Sequence, residues 1–176
     1  MRRLFSFPNP VNETSARLVA GGVLAQALAI IVLDRLGYQQ VWWASIVLAY
    51  GFVARVLTGP KLSPLGLLVT KVITPALNRP VKEVPGPPKR FAQGIGVVFS
   101  VSAAVLALVF EQYTAAVIVL AALSVAAMLE SVFGFCVGCT IFQGLMRVGI
   151  VPAQVCVECN NIWARQRPEA SQTVGV

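Results

Sequence analysis

Four long runs without a charged residue limit most strongly how this chain can fold. They contain 16, 19, 20 and 18 residues and lie at 18–33, 36–54, 91–110 and 112–129. A helix that spans a bilayer needs about 20 mostly apolar residues, with about 17–25 tolerated. The first run reaches that length if its helix continues past Arg17 or Asp34 at the head-group level. The sequence therefore predicts four transmembrane helices, at about 16–35, 40–57, 91–110 and 114–134.

Composition excludes several classes of function. Hydrophobic residues make up 57% of the chain and charged residues 12%, against about 25% charged residues in soluble domains. The chain has no histidine, which excludes Ser–His–Asp triads, Cys–His pairs and every histidine-ligated metal. It also has no glycine-rich phosphate loop of standard spacing, which argues against a nucleotide-binding enzyme. Its net charge of +7 is expected to set topology and lipid contact, with no role in nucleic-acid binding.

The basic residues predict how the chain is oriented. The two short turns at 34–40 and 111–114 contain one basic residue, Arg35. The other thirteen Lys and Arg residues lie in the two tails and in the connection 55–90. Loops rich in Lys and Arg stay on the cytoplasmic side of a membrane. We therefore expect a multi-pass plasma membrane protein with both termini and the long connection in the cytoplasm.

The predicted fold class is all-α, an integral membrane four-helix bundle of two transmembrane hairpins with short cytoplasmic interfacial helices. Aromatic residues beside the first turn, Tyr38, Trp42 and Trp43, are expected at the membrane interface. The predicted segments are a cytoplasmic tail (1–15), a first hairpin (16–57), a connection (58–90), a second hairpin (91–134), a cytoplasmic four-cysteine segment (135–165) and a flexible tail (166–176).

The connection 58–90 contains seven of the eleven prolines, so it is not predicted as one continuous helix. Ser63 is a good N-cap and Pro64 suits the first helical position. A set of apolar residues then shares one face at helical spacing: Leu65, Leu68, Val69, Val72 and Ile73. This pattern predicts a helix that either lies in the membrane interface or packs under the bundle. Residues 78–90 are expected to form an extended basic linker.

A weak internal repeat suggests that the chain has two similar halves. The segment Arg17–Gly21 aligns with Arg90–Gly94, and Leu67–Lys71 aligns with Gln143–Arg147. Each half would then be a helical hairpin followed by an amphipathic helix at the cytoplasmic surface. Both hairpins would start on the same side, so we expect parallel repeats.

All four cysteines occur in two CxxC pairs after the fourth span, and they are the candidate site. Cys136 and Cys139 form the first pair and Cys156 and Cys159 the second, with 16 residues between the pairs. Permanent disulfides are rare in the cytosol, so this pattern indicates thiol chemistry or metal binding. The spacing falls within the range of a structural four-cysteine zinc site, which would clamp the C-terminal segment and leave no open metal position.

Redox or sulfur relay is the alternative to a zinc site. Cys136 lies near the start of a predicted helix over 140–148, and a helix N-terminus stabilises a thiolate. Cys136 is therefore expected to be the most reactive thiol and Cys139 its resolving partner. Exchange with a soluble thioredoxin-like or sulfurtransferase-like protein would follow. A soft-metal or small-solute transporter is a third possibility, although the middle of each span carries no charged residue.

Two ionisable residues, Arg55 and Glu130, lie at the cytoplasmic ends of the second and fourth spans. Groups at that depth pair with each other or extend to the interface. They are predicted either to set topology separately or to form an ion pair that joins the two hairpins close to Cys136.

Several motifs together resemble one bacterial family of unknown function. They are Phe5–Glu13, Arg17–Gly21, Gly59–Pro64, Arg90–Gly94, Glu130–Cys139 and Cys156–Asn160, and the resemblance covers about 5–163. The chain resembles the domain-of-unknown-function family numbered 4395, which are small integral membrane proteins without an assigned activity. The resemblance implies a bacterial inner membrane and thioredoxin-like or rhodanese-like neighbours. It favours thiol or sulfur handling over zinc, and it leaves oligomeric state open.

Overall fold

The computed structural model describes residues 11–76 and 83–152, and they are almost entirely helical. Within this part of the chain the helices are α1 (Glu13–Arg35), α2 (Trp43–Thr58), α3 (Pro64–Leu68), α4 (Gly86–Leu108), α5 (Tyr113–Met128) and α6 (Val137–Arg147). Short helical turns at Gln39–Trp42 and Gly59–Lys61 lead into α2 and α3. Two π-helical turns extend α3 over Val69–Ile73, with a last turn at Thr74–Ala76, and α5 over Leu129–Phe133.

Four helical stretches are long and apolar enough to cross a membrane: Glu13–Arg35, Gln39–Ala76, Gly86–Leu108 and Tyr113–Phe133. The predicted all-α class with four candidate spans is thereby confirmed. A two-residue antiparallel pair, β1 (Val11–Asn12) and β2 (Glu83–Val84), joins the start of α1 to the segment before α4. The four helical stretches make the chain a multi-pass membrane protein, and its helices pack as a bundle.

Two segments differ from the sequence-based expectation. α4 begins at Gly86, inside the predicted extended linker, because Pro87 and Pro88 occupy first-turn positions that need no backbone N–H. α3 begins at Pro64 with Ser63 as its N-cap, as predicted, but its apolar residues divide between two sides. Val69 is buried against the bundle, whereas Leu68 is half exposed, which suits contact with lipid.

Small residues allow the spanning helices to pack closely. The most extensive contacts join α2 to α4, α4 to α5, and α1 to α5, so the two hairpins interlock. Alanines are interspersed with larger side chains in the core: Ala27, Ala103, Ala107 and Ala116 are fully buried, as is Leu120. Gly and Ala at such contacts bring helix backbones together, which is the usual basis of packing in a membrane.

The aromatic residues at the first turn have separate roles. Tyr38 and Trp43 are 64% and 66% exposed, as expected for interfacial anchors. Trp42 is fully buried, and its indole Nε1 donates a hydrogen bond to Asp34 Oδ1 at 2.8 Å. Its ring also lies 6.4 Å from the ring of Tyr113, so Trp42 connects the two hairpins instead of anchoring the interface.

Two arginines connect the halves at the end of the bundle where α1 and α4 begin. Arg17 on α1 donates from Nε to Ser131 O at 3.2 Å and from Nη2 to Val132 O at 2.6 Å. Arg90 on α4 donates from Nε to Val56 O at 3.0 Å. Each arginine therefore binds carbonyl groups at the end of the other half's second helix, where cations stabilise a helix.

Candidate functional site

Cys136 is the N-cap of α6, and this position results from a sharp turn after α5. Gly134 has φ +69°, a left-handed conformation that glycine adopts without strain, and it ends the π-helical extension of α5. Cys136 then has an extended backbone, and its Sγ accepts a hydrogen bond from the Cys139 backbone N–H at 3.2 Å. The helix begins three residues earlier than the sequence indicated. A thiolate at Cys136 would therefore face the positive end of α6.

Cys136 and Cys139 are joined through their sulfur atoms, with Cα atoms 5.2 Å apart. This separation is within the range that a disulfide spans without backbone movement. Cys136 is 9% exposed, whereas Cys139 is half-buried and so more accessible. The pair can therefore exist as a disulfide or a dithiol on one backbone, with a protected thiol and an accessible one.

The start of α6 is held tightly against α4. A Cβ atom added at Gly138 would lie 2.5 Å from the Cβ of Ala92, which is closer than real Cβ contacts occur. One turn further along α6, the ring of Phe142 lies 5.5 Å from the ring of Phe91. Because Gly138 lies between the two cysteines, this contact fixes the CxxC turn on the bundle.

Cys136 also lines a cavity of about 440 Å³ inside the bundle. The cavity lies among the starts of α1, α4 and α6 and the ends of α2 and α5, and its lining is mainly apolar. Polar and charged residues on the lining are Asn12, Ser15, Arg55, Thr70, Lys89, Gln93 and Glu130. This volume is typical of a small-molecule pocket.

The charged residues on the cavity wall are arranged in two groups. Lys89 Nζ contacts Glu130 Oε1 at 2.5 Å, which joins α4 to α5. Arg55 is 3% exposed, and its guanidinium carbon lies 4.5 Å from the ring centroid of Phe52, a cation–π contact. Arg55 and Glu130 therefore reach one cavity, and the ion-pair partner that the structure gives Glu130 is Lys89. A direct Arg55–Glu130 pair stays a prediction.

The second cysteine pair lies outside the described residues. Cys156 and Cys159 belong to 153–176, so two of the four possible zinc ligands are not described. Among residues 11–76 and 83–152, no group of three His, Cys, Asp or Glu side chains could hold a metal ion. Two sulfur donors do not complete a tetrahedral zinc site, and the four-cysteine site stays a prediction.

Sequence reasoning missed Lys89 and Gln93, which both line the cavity. Both lie near the junction of the predicted linker and the third span. Their separation of four residues is one helical turn, so extending that helix back to Gly86 would have placed both on one face.

Comparison with known protein families identifies a relationship over most of the chain. The model of the family described as Domain of unknown function (DUF4395) matches residues 11–147. The chain belongs to this family. The matched region contains α1 to α6, the cavity and the Cys136–Cys139 pair, and it ends before Cys156 and Cys159. No curated protein and no solved structure is significantly similar to the chain.

Proposed function

We propose that this DUF4395 protein is a membrane-embedded thiol-redox protein that exchanges disulfides with a soluble thioredoxin-like or rhodanese-like partner on the cytoplasmic side. The observation that carries the proposal is the Cys136–Cys139 pair at the start of α6, with Cys136 as the N-cap. A cytoplasmic disulfide is usually transient and catalytic, which fits a pair that cycles between two states.

The different exposure of the two cysteines supports different roles for them. A partner protein reaches Cys139 more easily, because Cys136 is buried and lines the cavity. Cys136 is the better leaving group, since the Cys139 N–H and the N-terminus of α6 stabilise its thiolate. We therefore assign partner exchange to Cys139, whereas the sequence alone favours Cys136 as the attacking thiol.

The exchange then proceeds in two balanced steps. A partner thiolate attacks Cys139 Sγ, the Cys136–Cys139 bond breaks, and Cys136 leaves with the electron pair as a thiolate. The partner's second thiolate next attacks the partner sulfur of the mixed disulfide and releases Cys139. The partner dithiol is oxidised to a disulfide, and the Cys136–Cys139 disulfide is reduced to a dithiol. The reverse sequence transfers electrons to the partner.

A capture experiment tests this assignment. The background protein carries Cys156→Ser and Cys159→Ser. Adding Cys136→Ser leaves Cys139 as the single thiol, and adding Cys139→Ser leaves Cys136. Each single thiol is activated as its mixed disulfide with thionitrobenzoate. The probe is thioredoxin with its resolving cysteine replaced by serine, and its capture releases thionitrobenzoate. We expect Cys139 to capture the probe at least about tenfold faster than Cys136, because access limits exchange.

Two results would contradict the proposal. One is a failure of both thiols to capture thioredoxin while a small alkylating reagent modifies both. The other is stoichiometric zinc on the native four-cysteine protein, with all four thiols protected equally. The second result would favour a membrane scaffold with a structural zinc site.

A further inference from the structure

The cavity beside Cys136 has features that disulfide exchange with a soluble protein does not require. Its lining contains 28 residues drawn mainly from the four spanning helices and α6. Small residues on that lining, such as Ala20, Ala92 and Ala126, leave space where larger side chains would fill the bundle. A mainly apolar cavity next to a redox-active sulfur suits an apolar electron carrier.

Arg55 gives the first sign of a ligand. Its side chain lines the cavity at 3% exposure, and its Nε has no hydrogen-bond partner among the described residues. The Phe52 ring offers a cation–π contact but accepts no hydrogen bond as a carbonyl oxygen would. A buried guanidinium donor without an acceptor costs free energy, so Arg55 indicates an acceptor oxygen in the cavity.

Gln93 gives the second sign from another helix. Its Oε1 is buried and also has no hydrogen-bond partner within the described part of the chain, and Gln93 lines the same cavity. A donor on α2 and an acceptor on α4 match a ligand whose oxygen atoms can be carbonyl or hydroxyl groups. A quinone has carbonyl oxygens, and its reduced form has hydroxyl groups in the same places.

Three charged side chains line the cavity, and they are Arg55, Lys89 and Glu130. Lys89 pairs with Glu130, and the Glu130 carboxylate also acts electrostatically on Arg55. What Arg55 Nε lacks among the described residues is a hydrogen-bond acceptor, which a neutral carbonyl oxygen supplies. We propose that the cavity binds a membrane quinone, which accepts the electron pair of the reduced Cys136–Cys139 dithiol. This inference rests on the proposed function, since it names the oxidant that regenerates the disulfide.

The reaction balances with the quinone as its only co-reactant. The two thiols lose their S–H bonds, and the S–S bond forms between Cys136 and Cys139. The electron pair passes to the quinone ring, and the two protons go to the two ring oxygens, which become hydroxyl groups. One disulfide and one hydroquinone are formed for each quinone consumed.

Purified protein with the Cys156→Ser/Cys159→Ser background provides the test. The reduced protein is mixed with decylubiquinone or with 2-methyl-3-decylnaphthoquinone, whose fully substituted rings react slowly with free thiols. We expect one hydroquinone per disulfide formed, measured by absorbance and by alkylation of remaining thiols. Arg55→Gln should raise the quinone concentration for half-maximal rate at least about tenfold, because a hydrogen bond from a charged donor is lost.

Matched variants keep the test decisive. Arg147→Gln removes an exposed arginine on α6 and should behave as the parent protein. Ala126→Leu fills the cavity without changing charge and should also slow quinone reduction. It therefore serves as the test variant if Arg55→Gln fails to fold. In both cavity variants, thioredoxin capture at Cys139 should stay unchanged.

Three outcomes would overturn the quinone site. The first is no quinone reduction by a protein that captures thioredoxin. The second is equal quinone reduction in the cavity variants and the parent. The third concerns decanoate, an apolar anion used as a competitor: it binds at Arg55 but does not compete with quinone. Loss of thioredoxin capture in every variant would instead contradict the proposed function, so the two failures are distinguishable.

Discussion

The two halves of the molecule share one backbone plan and differ in chemistry. α1 and α4 each contain 23 residues, α2 and α5 each contain 16, and α3 and α6 begin at Pro64 and Val137. Both of the short helices have an N-cap that accepts a hydrogen bond from the N–H three residues later. In the first half Ser63 Oγ accepts from Gly66 at 3.3 Å, and in the second half Cys136 Sγ accepts from Cys139 at 3.2 Å.

This comparison separates structure from reactivity. The hydroxyl of Ser63 is fully buried and can only cap its helix, whereas the thiol of Cys136 can cap its helix and also form a disulfide. The reciprocal contacts of Arg17 and Arg90 hold the halves together in equivalent ways. The element lengths and caps fit the predicted alignment of Arg17 with Arg90, but the caps place Leu67 against Thr140, three residues before the predicted Gln143. The thiol site is an addition to the second half.

The largest stability effect is expected at the ion pair that is confined to the second half. Lys89→Ala should lower the free energy of unfolding by ~3 kcal/mol, because Glu130 would lose its partner at a largely buried position. Denaturant unfolding in detergent measures this change. The swap Lys89→Glu with Glu130→Lys should restore stability. Recovery by Arg55→Glu with Glu130→Arg instead would show that the predicted Arg55–Glu130 pair is the stabilising one.

A smaller effect is expected where α6 contacts α4. Gly138→Ala should cost ~2 kcal/mol, because its Cβ would meet Ala92 and separate the helices. The matched control is Gly144→Ala on the same helix, where nothing lies within 4 Å and alanine favours the helix. Equal unfolding free energies for the two variants would contradict the tight placement of the CxxC turn.

The two arginine caps should differ in strength. Arg17→Ala removes two hydrogen bonds to carbonyl groups and should cost ~1.5 kcal/mol, whereas Arg90→Ala removes one and should cost ~0.7 kcal/mol. Arg17→Ala should also change the rate of thiol exchange, since it frees the segment just before Gly134. Thermal unfolding and thioredoxin capture together measure both effects. A larger stability loss for Arg90→Ala would reverse this ranking.

The smallest stability effect is expected for exchanging the two N-cap atoms. Ser63→Ala should cost ~1 kcal/mol, the usual loss of a cap. Cys136→Ser, measured against the reduced protein, should stay within ~0.5 kcal/mol because serine can cap as it does in the first half. The Cys136→Ser protein should nevertheless show no thiol exchange with a small disulfide at residue 136. If Cys136→Ser destabilised the reduced protein as strongly as Cys136→Ala, the two caps would not be equivalent.

Much of the fold follows from simple patterns in the chain. Charge spacing located the four spans, and the Ser63–Pro64 pair located the start of α3, because both signals are local. The start of α4 was misplaced because prolines near 85–88 indicate a linker, although they are compatible with a first helical turn. Trp42 was assigned to the interface because its partner Tyr113 is distant in sequence.

The site was only partly accessible to sequence reasoning. The CxxC spacing identified Cys136 and Cys139, since the motif is contiguous. The cavity depends on small side chains contributed by different helices, and the position of Lys89 opposite Glu130 depends on how α4 packs on α5. Such arrangements depend on tertiary contacts between helices, so no short sequence pattern predicts them.

Metal content and thiol reactivity, measured together on the native four-cysteine protein purified without oxygen, distinguish a redox pair from a zinc site. We predict less than one zinc per ten chains, and a Cys136–Cys139 pair that interconverts between disulfide and dithiol with thioredoxin. We also predict that Cys139 is alkylated faster than Cys136, because Cys136 is buried on the cavity wall. One zinc per chain, with no cysteine alkylated faster than the others, would contradict the redox pair.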